Sequence, residues 1–530
     1  MAAQQSESID LQKRSVVSSF IFTGTDDSLR VALFRRSQQT RSYQGRLAPI
    51  SGTIEKSESP VRAAWRELEE ETRLTAREVT LWREGNPFTF DDISAGRQWT
   101  VHPFAFQLRL EAQNKIQIDW EHDGWDWYDP NKVPDDETFN GVPRLVESLK
   151  RVWFEMEMNS AASAALRSGL YQLKTDHQSG SHELTSIAVT ALRDVLVHLR
   201  GDRNWWITTR TAAWHLWKNG RESMGSATLN AFLGLLADIE TILPPTLENE
   251  SSWDRVLAMV DHHLEARREI PIRIKENFAK YLQDSLLPAA EREYRDTLTI
   301  LTLSASSTIR DSIIDAFSSL SISNLDLRIL ESRPLFEGPT MASTLLSSFQ
   351  SKHLAASDRH LKLTIYTDAS AAIAASEVDF VLLGADSISS SGWVSNKTGS
   401  LPAVLSAKHI SPGVKVLILS AVDKIAGPVE LEHEGEQEYN DPVEVTTPWV
   451  GSGVRGINLL NEGVQGSLPK TANCRVIVNN IYFEWVPAGL IDGYLCEHGL
   501  YSVADIRKKA DEVKNNADRY FGCVVCKDSE

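Results

Sequence analysis

The stretch GTIEKSESPVRAAWRELEEETRL, residues 52–74, decides the fold of the first part of this chain. It places Glu67, Glu70 and Glu71 at positions i, i+3 and i+4 of a helix, so that three carboxylates share one face. Carboxylates stacked this closely repel one another unless a cation lies between them. A cation such as Mg²⁺ accepts a few carboxylates, keeps several waters and completes its shell with phosphate oxygens. The sequence therefore predicts a metal site at these residues, with a solvated acidic helix face as the alternative.

The same stretch resembles the Nudix box, in which a glycine, five residues, a glutamate and seven residues precede R-E-U-x-E-E-x-G-U, where U is aliphatic. The positions in register are Gly52, Glu58, Arg66, Glu67, Leu68, Glu70, Glu71 and Leu74. Arg73 stands where the family has its second glycine, so we expect the helix end, more than the metal site, to differ. The resemblance implies a Nudix α/β/α sandwich that uses Mg²⁺ or Mn²⁺, bound by Glu67, Glu70 and Glu71, to hydrolyse a nucleoside diphosphate derivative or a related pyrophosphate.

Segments around the box alternate between apolar and polar residues and predict strands at residues 15–22, 29–35, 46–54 and 101–109. The residues that select a substrate are expected outside the box, in loops such as residues 85–97. Glu58 is expected to pair with Arg66 rather than to bind the metal, because a guanidinium beside the metal face needs a counter-charge.

A catalytic role is implied for Glu70 in the box and for a second acid farther along the chain. Glu121, in the sequence Glu121-His122 followed by Trp127, resembles the E-H…W pattern of the family's last strand. In several Nudix enzymes an acidic residue near that position binds a further metal ion or deprotonates water. Glu121 is the candidate, and the competing acids are Asp119 and Asp123. The alternative is an exposed acid on a strand edge.

Composition places the chain among globular proteins of more than one domain. Its 530 residues are 42% hydrophobic and 24% charged, which favours two or three domains. The net charge of -17 argues against non-specific binding to nucleic acid or to an anionic membrane. No stretch is apolar for long enough to span a bilayer, and the first residues contain no signal-peptide core, so we expect a cytoplasmic protein. The sparse cysteines, which also suit a reducing compartment, are expected to be incidental, including a C-x-x-C pair: Cys474, Cys496, Cys523 and Cys526.

Hydrophobic periodicity divides the rest of the chain into a helical part and an α/β part. Residues 183–287 show helical spacing, and from residue 297 short apolar strands alternate with helices. Strands are predicted at residues 298–303, 327–331, 363–367, 378–383, 414–419 and 475–478, and helices at residues 339–350 and 401–409. This alternation indicates a doubly wound parallel sheet that binds ligands at the carboxyl ends of its strands. The acidic segment 427–456 is expected to be a surface loop.

A second resemblance rests on three motifs in this α/β part: ESRPLFEGPTMAS (331–343), FVLLGADSISSSGWVSNKTGS (380–400) and VNNIYFEWVPAGLID (478–492). They resemble the family that joins the alpha, beta and delta subunits of translation initiation factor 2B with isomerases of methylthioribose 1-phosphate and ribose 1,5-bisphosphate. The resemblance covers roughly residues 180–522 and implies a helical neck followed by a Rossmann-like domain. The predicted organisation is a flexible N-terminus (1–12), a Nudix domain (13–157), a linker with the helical neck (158–290), a Rossmann-like domain (291–522) and a tail (523–530).

The second resemblance also implies a site. Asp386 matches a catalytic aspartate, and Arg333, Asn396 and Lys397 match positions near the sugar phosphate. Ser304 stands where the isomerases carry a cysteine. A thiol with a pKa of ~8.5 can shuttle a proton, whereas a serine hydroxyl is too weak an acid unless it is strongly activated.

A structural alternative exists for the same residues. Asp386 can cap the turn that follows it, and Arg333 can pair with Glu331 or Glu337. The kept cations and the missing thiol favour a ligand-binding or regulatory domain over an efficient isomerase.

Three hypotheses for function remain open. The first is a Nudix hydrolase whose second domain binds a phosphorylated sugar or nucleotide, the second is a factor 2B-like scaffold with an accessory Nudix domain, and the third is a bifunctional ribose-phosphate hydrolase and isomerase. The intact metal positions favour the first, and Ser304 counts against the third. The second resemblance implies a homodimer or higher oligomer through the C-terminal half, and no membrane or nucleic-acid partner is expected.

Overall fold

The structure is a computed structural model that describes residues 11–25, 28–176, 179–221, 225–243, 250–285, 296–353, 358–427, 440–464 and 476–522. The chain divides into two compact units. Unit 1 consists of Met1–Leu264 with Asn515–Glu530, and unit 2 consists of Glu265–Lys514. Among the helices described, none is long and apolar enough to cross a membrane.

A mixed sheet forms the centre of the first part of unit 1. Its strands are β1 (Gln12–Thr23), β2 (Arg30–Arg36), β3 (Leu47–Ala48), β4 (Val79–Glu84), β5 (Phe88–Asp92), β6 (Arg97–Leu108) and β7 (His122–Tyr128). The order is β3-β2-β1-β6-β4, with β5 paired to β6 and β7 paired to β2. The long central pair β1 and β6 is parallel, and the other pairs are antiparallel.

Two helices cover the two faces of this sheet: α1 (Pro60–Thr72) and α2 (Leu145–Val152). Alternation along β1 sends Ile21 to the face that packs on Leu68 of α1, and Phe22 to the face that packs on Leu149 of α2. All four side chains are completely buried. The α/β/α sandwich implied by the sequence is confirmed.

Two strand predictions for this sheet were wrong. The strand predicted at residues 46–54 is reduced to β3, because Pro49 has no N–H to continue the ladder. Beyond Pro49 only isolated bridges remain, Ile50 to Ser19 and Thr53 to Val16. The predicted loop 85–97 contains β5, whose short aromatic run is stabilised by pairing with β6.

Helices form the rest of unit 1: α3 (Ser160–Thr175), α4 (Ser181–Val197), α5 (Trp205–Asn219), α6 (Gly225–Ile242) and α7 (Glu250–Ser285), which continues into unit 2. They pack on the sheet of the same unit. The Lys174 ammonium donates to the Trp82 carbonyl over 3.0 Å. The Asn219 side chain bonds both the N–H and the carbonyl of Glu84, at 2.6 and 2.9 Å. The predicted boundary after residue 157 stays a prediction, since these helices share one compact unit with the sheet.

Unit 2 contains a second sheet and a small three-stranded sheet. The strands are β8 (Thr297–Leu303), β9 (Asn324–Leu330), β10 (His360–Tyr366), β11 (Phe380–Leu383), β12 (Ser387–Ile388), β13 (Val394–Lys397), β14 (Lys415–Leu419), β15 (Phe483–Val486), β16 (Gly493–Cys496) and β17 (Gly499–Tyr501). The large sheet has the order β10-β9-β8-β11-β14-β16-β17, parallel except for β17. The small sheet has the order β12-β13-β15.

Helices cover both faces of the large sheet. They are α8 (Ser307–Ser319), α9 (Glu337–Lys352), α10 (Ala371–Ala374), α11 (Ser400–Ile410) and α14 (Val503–Phe521), whose end belongs to unit 1. Two more helices, α12 (Pro442–Gly451) and α13 (Ile457–Val464), lie between β14 and β15 in the chain. Ile300 of β8 packs toward Phe317 of α8, and Leu303 packs toward Val404 of α11 on the opposite face. The doubly wound parallel sheet is confirmed. The strands that follow β8 in the chain are added on one side of it up to β10, and from β11 onward on the other side, so the direction of strand addition changes between β8 and β11.

Two predictions for unit 2 were wrong. Residues 476–478 form no strand, and the sixth parallel strand is instead β16, a run of four residues that the sequence pattern does not single out. Residues 442–451 of the predicted surface loop form α12, which begins at a proline in its first turn. Arg475, at the start of that predicted strand, and Cys474, Cys523 and Cys526 lie outside the described residues. Cys496 is a buried free thiol whose pKa burial raises to about 12.

Candidate functional site

Arg66 organises the carboxylates of the box. Its guanidinium donates to both oxygens of Glu58 over 2.9 Å, which confirms the expected pairing. The same group donates to Glu67 Oε1 over 2.7 Å, to Glu70 Oε2 over 3.2 Å and to the Thr53 carbonyl over 3.1 Å. One cation therefore holds three carboxylates in place and ties the helix to the loop before it.

Glu71 carries the strongest electrostatic strain in the site. It is 2% exposed, one of its oxygens lies 2.5 Å from His122 Nε2, and its other oxygen has no hydrogen-bond partner. Burial raises the pKa of Glu71 well above its usual value, and the charges of Glu121, Glu67 and Asp119 raise it further. Burial lowers the pKa of His122 to about 4, so at neutral pH this histidine is uncharged and cannot balance the carboxylates.

These residues fit a divalent cation. Burial raises the pKa of Glu67 as well, and Arg66 only partly opposes that rise. Gly52 leaves the room for this arrangement, because a Cβ there would lie 1.9 Å from the Glu67 carboxylate. Among the described residues no three His, Cys, Asp or Glu side chains are already grouped to hold a metal ion, since Arg66 holds the oxygens of Glu67 and Glu70.

The box carboxylates differ in their surroundings. Glu67 lines a cavity in unit 1, Glu71 is buried and does not line it, and the side chain of Glu70 is 59% exposed. Arg73 ends the helix with φ 61°, and its N–H donates to the Glu69 carbonyl. The helix thus closes in the left-handed cap that the family makes with glycine, at a strain cost of about 1–2 kcal/mol for a non-glycine residue.

Among the three competing acids, Glu121 and Asp119 both adjoin the box: the Asp119 N–H donates to the Glu71 carbonyl over 3.3 Å, and Glu121 has the larger effect on the pKa of Glu71. Glu121 lines the same cavity as Glu67, and its charge raises the pKa of both Glu67 and Glu71. Asp119 accepts the Glu121 N–H over 2.9 Å, which fixes the backbone of that turn. Asp123 is exposed on β7 and does not line the cavity. The position of Glu121 agrees with the role predicted for it, and the role itself stays a prediction.

A cavity of about 540 Å³ adjoins these carboxylates. Its lining includes an aromatic wall, which the sequence analysis missed: Tyr43, Phe88, Phe90 and Trp99. Besides Arg66, three arginines line it: Arg36, Arg97 and Arg144. Arg36 is held by the Ser42 carbonyl and Ser51 Oγ, at 3.0 and 3.4 Å, and its charge opposes the rise in the pKa of Glu71. In the sequence, the pattern that indicates part of this wall is the alternation Phe88-Thr89-Phe90.

Unit 2 brings Ser304 and Lys397 together through Glu337, a residue that the sequence considered alone does not single out as functional. Ser304 follows β8 in a left-handed conformation, with φ 69°, and its N–H donates to Ser332 Oγ over 2.8 Å. Its hydroxyl donates to Glu337 Oε2 over 2.9 Å. The ammonium of Lys397 lies 3.2 Å from Glu337 Oε1. Glu337 is the first residue of α9, so the carboxyl edge of the sheet positions all three groups.

Arg333 lies at the surface of the same edge. Its N–H donates to Asp368 over 2.8 Å, and its exposed guanidinium lies over the Phe336 ring at 5.2 Å. In the part of the chain that the structure describes, no ion pair joins Arg333 to Glu331 or Glu337, which was the alternative considered for it.

Asp386 and Asn396 lie deeper. Burial raises the pKa of Asp386, Lys424 and Lys397 oppose the rise, and Glu337 adds to it. Asn396 is 5% exposed and donates to Ser400 Oγ over 3.0 Å. Lys424, which the sequence analysis did not consider, is 8% exposed.

Two family models match the chain. Residues 12–149 match the model described as NUDIX domain, and residues 246–503 match the model described as Initiation factor 2 subunit family. Similar curated proteins include two methylthioribose-1-phosphate isomerases. The one from Marinobacter nauticus is 30% identical over 142 residues, which is 26% of this chain and 35% of the relative. The one from Magnetococcus marinus is 30% identical over 190 residues, which is 35% of this chain and 45% of the relative.

The chain therefore spans less than half the length of these relatives. Solved structures with a similar fold include the translation initiation factor eIF-2B of Pyrococcus horikoshii, at 16% identity and TM-score 0.42, over 65% of this chain and 97% of that one. The 5-methylthioribose 1-phosphate isomerase of the same organism matches at 16% identity and TM-score 0.43, over 66% of this chain and 87% of that one.

Proposed function

Because the chain joins a NUDIX domain to a domain of the initiation factor 2 subunit family, we propose that it is a metal-dependent pyrophosphohydrolase fused to a domain that binds a phosphorylated sugar or nucleotide. The hydrolase substrate is a nucleoside diphosphate derivative or a related pyrophosphate. The observation that carries this proposal is the cluster of Glu67, Glu71 and Glu121, whose negative charge exceeds what Arg66 and Arg36 neutralise and which adjoins a cavity of about 540 Å³.

The metal would be Mg²⁺ or Mn²⁺, held by Glu67, Glu70 and Glu71. When bound, such a cation neutralises pyrophosphate charge and activates water for attack in line on phosphorus. Glu121 is the proposed base that accepts the proton as the new P–O bond forms and the bond to the leaving phosphate breaks. Arg66 keeps the carboxylates in position, since it bonds Glu58 as well as Glu67 and Glu70.

The rest of the cavity suits the remainder of such a substrate. Arg36 and Arg97 offer charge and hydrogen bonds to phosphate oxygens. The aromatic wall offers an apolar surface for the group beyond the phosphates. Both features lie on strands β2, β5 and β6 or the loop after β2, so the sheet positions substrate groups and carboxylates together.

Unit 2 is proposed to bind its ligand without turning it over quickly. Asp386 supplies one proton-transfer group, but Ser304 supplies a weak acid where an isomerase needs a second. The relatives named as isomerases support the bifunctional hypothesis, whereas Ser304 in place of a cysteine argues against it. Oligomerisation through unit 2 and a cytoplasmic location are part of the proposal.

The test is hydrolysis of a panel of nucleotide sugars, dinucleotides and phosphoribosyl pyrophosphate with Mg²⁺. Glu67→Gln and Glu70→Gln each remove a charge but keep the shape, and each should lower kcat by about two or more orders of magnitude. The matched control is Glu69→Gln on the same helix, where the side chain is exposed and outside the cluster. Equal activity of all three folded variants would refute the site. A wild-type chain that is inert on the whole panel would favour the scaffold hypothesis.

A further inference from the structure

Groups that commonly bind phosphate line the carboxyl edge of the unit 2 sheet, and the chain's own carboxylates occupy them. The N–H groups of Ser332 and Arg333 donate to Asp368 over 2.9 and 2.8 Å. The N–H of Gly399, at the start of α11, donates to Glu484 over 2.6 Å. Helix starts and paired N–H groups are ordinary phosphate sites in proteins. Here both are already bonded to an anion.

Glu337 extends this pattern to the side chains of the site. One of its oxygens accepts from the Ser304 hydroxyl and the other lies 3.2 Å from the Lys397 ammonium. The backbone that carries Glu337 is fixed, because a Cβ at the neighbouring Gly338 would lie 2.1 Å from the Leu330 carbonyl, so the start of α9 packs closely against the end of β9. The charge of Lys397 is thus balanced before any ligand arrives.

The space around these groups is small. Arg333, Glu337, Lys397 and Tyr482 line a cavity of about 10 Å³, which has room for one water molecule. The Lys397 ammonium also lies 4.8 Å from the centre of the Tyr482 ring. A phosphate that approached Lys397 would have to displace the Glu337 carboxylate or lie against it. A hydroxyl could instead donate to Glu337 and accept from Lys397 with both groups in place.

Arg333 offers a different environment. Its guanidinium is exposed, and within the described part of unit 2 it bonds no carboxylate directly, although its charge opposes the rise that burial causes in the pKa of the nearby Glu331. It is the cation of this edge that an incoming anion can reach from solvent.

We propose that Glu337 is a specificity-determining residue: it reserves Lys397 and Ser304 for a ligand hydroxyl, so that the site accepts a sugar with one phosphate, held at Arg333, and discriminates against a sugar bisphosphate. This inference rests on the proposed binding function of unit 2. It adds that the ligand carries its phosphate at the end that faces Arg333 and a hydroxyl at the end that faces Lys397. The discrimination is electrostatic, since the carboxylate repels a second phosphate and also keeps Lys397 from it.

The experiment is calorimetric binding of ribose 1-phosphate and ribose 1,5-bisphosphate, which differ by one phosphate, to the full chain. Wild type should bind the monophosphate at least about tenfold more tightly, and Glu337→Gln should remove or reverse that preference. Glu377→Gln is the matched control, because it removes an exposed carboxylate beside the amino end of β11, at the opposite edge of the sheet, so it should keep the wild-type ratio. Glu337→Ala is measured in parallel in case the glutamine variant folds poorly.

The outcomes separate this inference from the binding function itself. A preference for the bisphosphate in wild type that Glu337→Gln leaves unchanged would overturn the inference and leave the binding function standing. Binding of the bisphosphate only after Glu337→Gln, with no ligand bound by wild type, would support the role of Glu337 and overturn the binding function. If neither ligand binds to any of the folded proteins, both proposals fail.

Discussion

Replacing Glu71 by glutamine should stabilise unit 1 in the absence of metal and abolish hydrolysis. Glu71 is 2% exposed, and one of its oxygens is buried without a partner. An unsatisfied buried polar group costs about 1–3 kcal/mol, and repulsion from Glu121, Glu67 and Asp119 adds to that cost. A glutamine keeps the bond from His122 and removes the charge. The amide leaves one buried polar group unpaired, as the carboxylate does, so the gain comes from removing the buried charge and its repulsion from Glu121, Glu67 and Asp119. We therefore expect the free energy of unfolding to rise by about 1–3 kcal/mol at pH 8, the usual size of a single-substitution effect.

The gain should depend on pH. The pKa of Glu71 is raised well above 4.5 in the folded protein, so over the range between those values the folded state binds more protons than the unfolded chain. Wild-type stability from this group is therefore present at and below about pH 4.5, and it is lost as the pH rises through the folded-state value. The difference between Glu71→Gln and wild type should be largest at pH 8 and should shrink toward acid pH, where the wild-type carboxyl is also neutral.

The assay is urea unfolding followed by tryptophan fluorescence, because most tryptophans lie in unit 1. Measurements are made in EDTA and again in Mg²⁺. A cation at a hundred times its Kd stabilises wild type by about 2.7 kcal/mol. In Mg²⁺ the difference in the free energy of unfolding between Glu71→Gln and wild type should therefore shrink or change sign. Glu69→Gln, on the exposed face of the same helix, should change stability by less than about 0.5 kcal/mol. A Glu71→Gln protein that is less stable than wild type in EDTA at pH 8, with no differential effect of Mg²⁺, would refute the reasoning.

Three further results are expected. Arg83 and Glu155 form a buried two-point ion pair at 2.9 and 2.8 Å, with side chains 3% and 8% exposed. Glu155→Gln should lower the free energy of unfolding by about 3–5 kcal/mol in urea titrations, whereas replacing both residues by methionine should recover most of the loss. Ser304→Cys should produce slow isomerisation of methylthioribose 1-phosphate in a product assay, and a variant that binds this sugar without isomerising it would contradict the role given to the missing thiol. Light scattering of the full chain at micromolar concentration should show a dimer or larger assembly, and a monomer would weaken the scaffold hypothesis.

The sequence predicted most of the fold because its strongest patterns are local. The box was predicted to be helical, and β8 and α9 were predicted within a few residues of their bounds, since each has one clear hydrophobic period. The strands that it missed, which include β5 and β16, are runs of six residues or fewer. Such runs become strands because a long neighbour offers them a ladder, and no local pattern reports that neighbour.

The residues of the candidate sites also divide into those that local spacing reveals and those that only the folded chain brings together. Glu67 and Glu71 could be singled out because one helix face holds them at fixed spacing, and Arg66 with Glu58 follows from the same motif. Tyr43 and Trp99 could not be assigned to that site from the sequence. They lie far apart in the chain, on a loop and on a strand, and only the folded chain brings both to one cavity.

The sequence by itself determined the doubly wound sheet and the chemical groups that this protein carries. Those groups include a helix face of carboxylates and a serine where related isomerases have a cysteine. Only the tertiary structure decided how those charges are balanced. Glu71 is buried against a neutral His122, which does not balance its charge, whereas Lys397 is balanced by Glu337 from another element. Spacing along one helix is a local property that residue order encodes directly. The electrostatic state of a buried group depends on burial and on partners far away in sequence, which arise only when the sheets and helices pack.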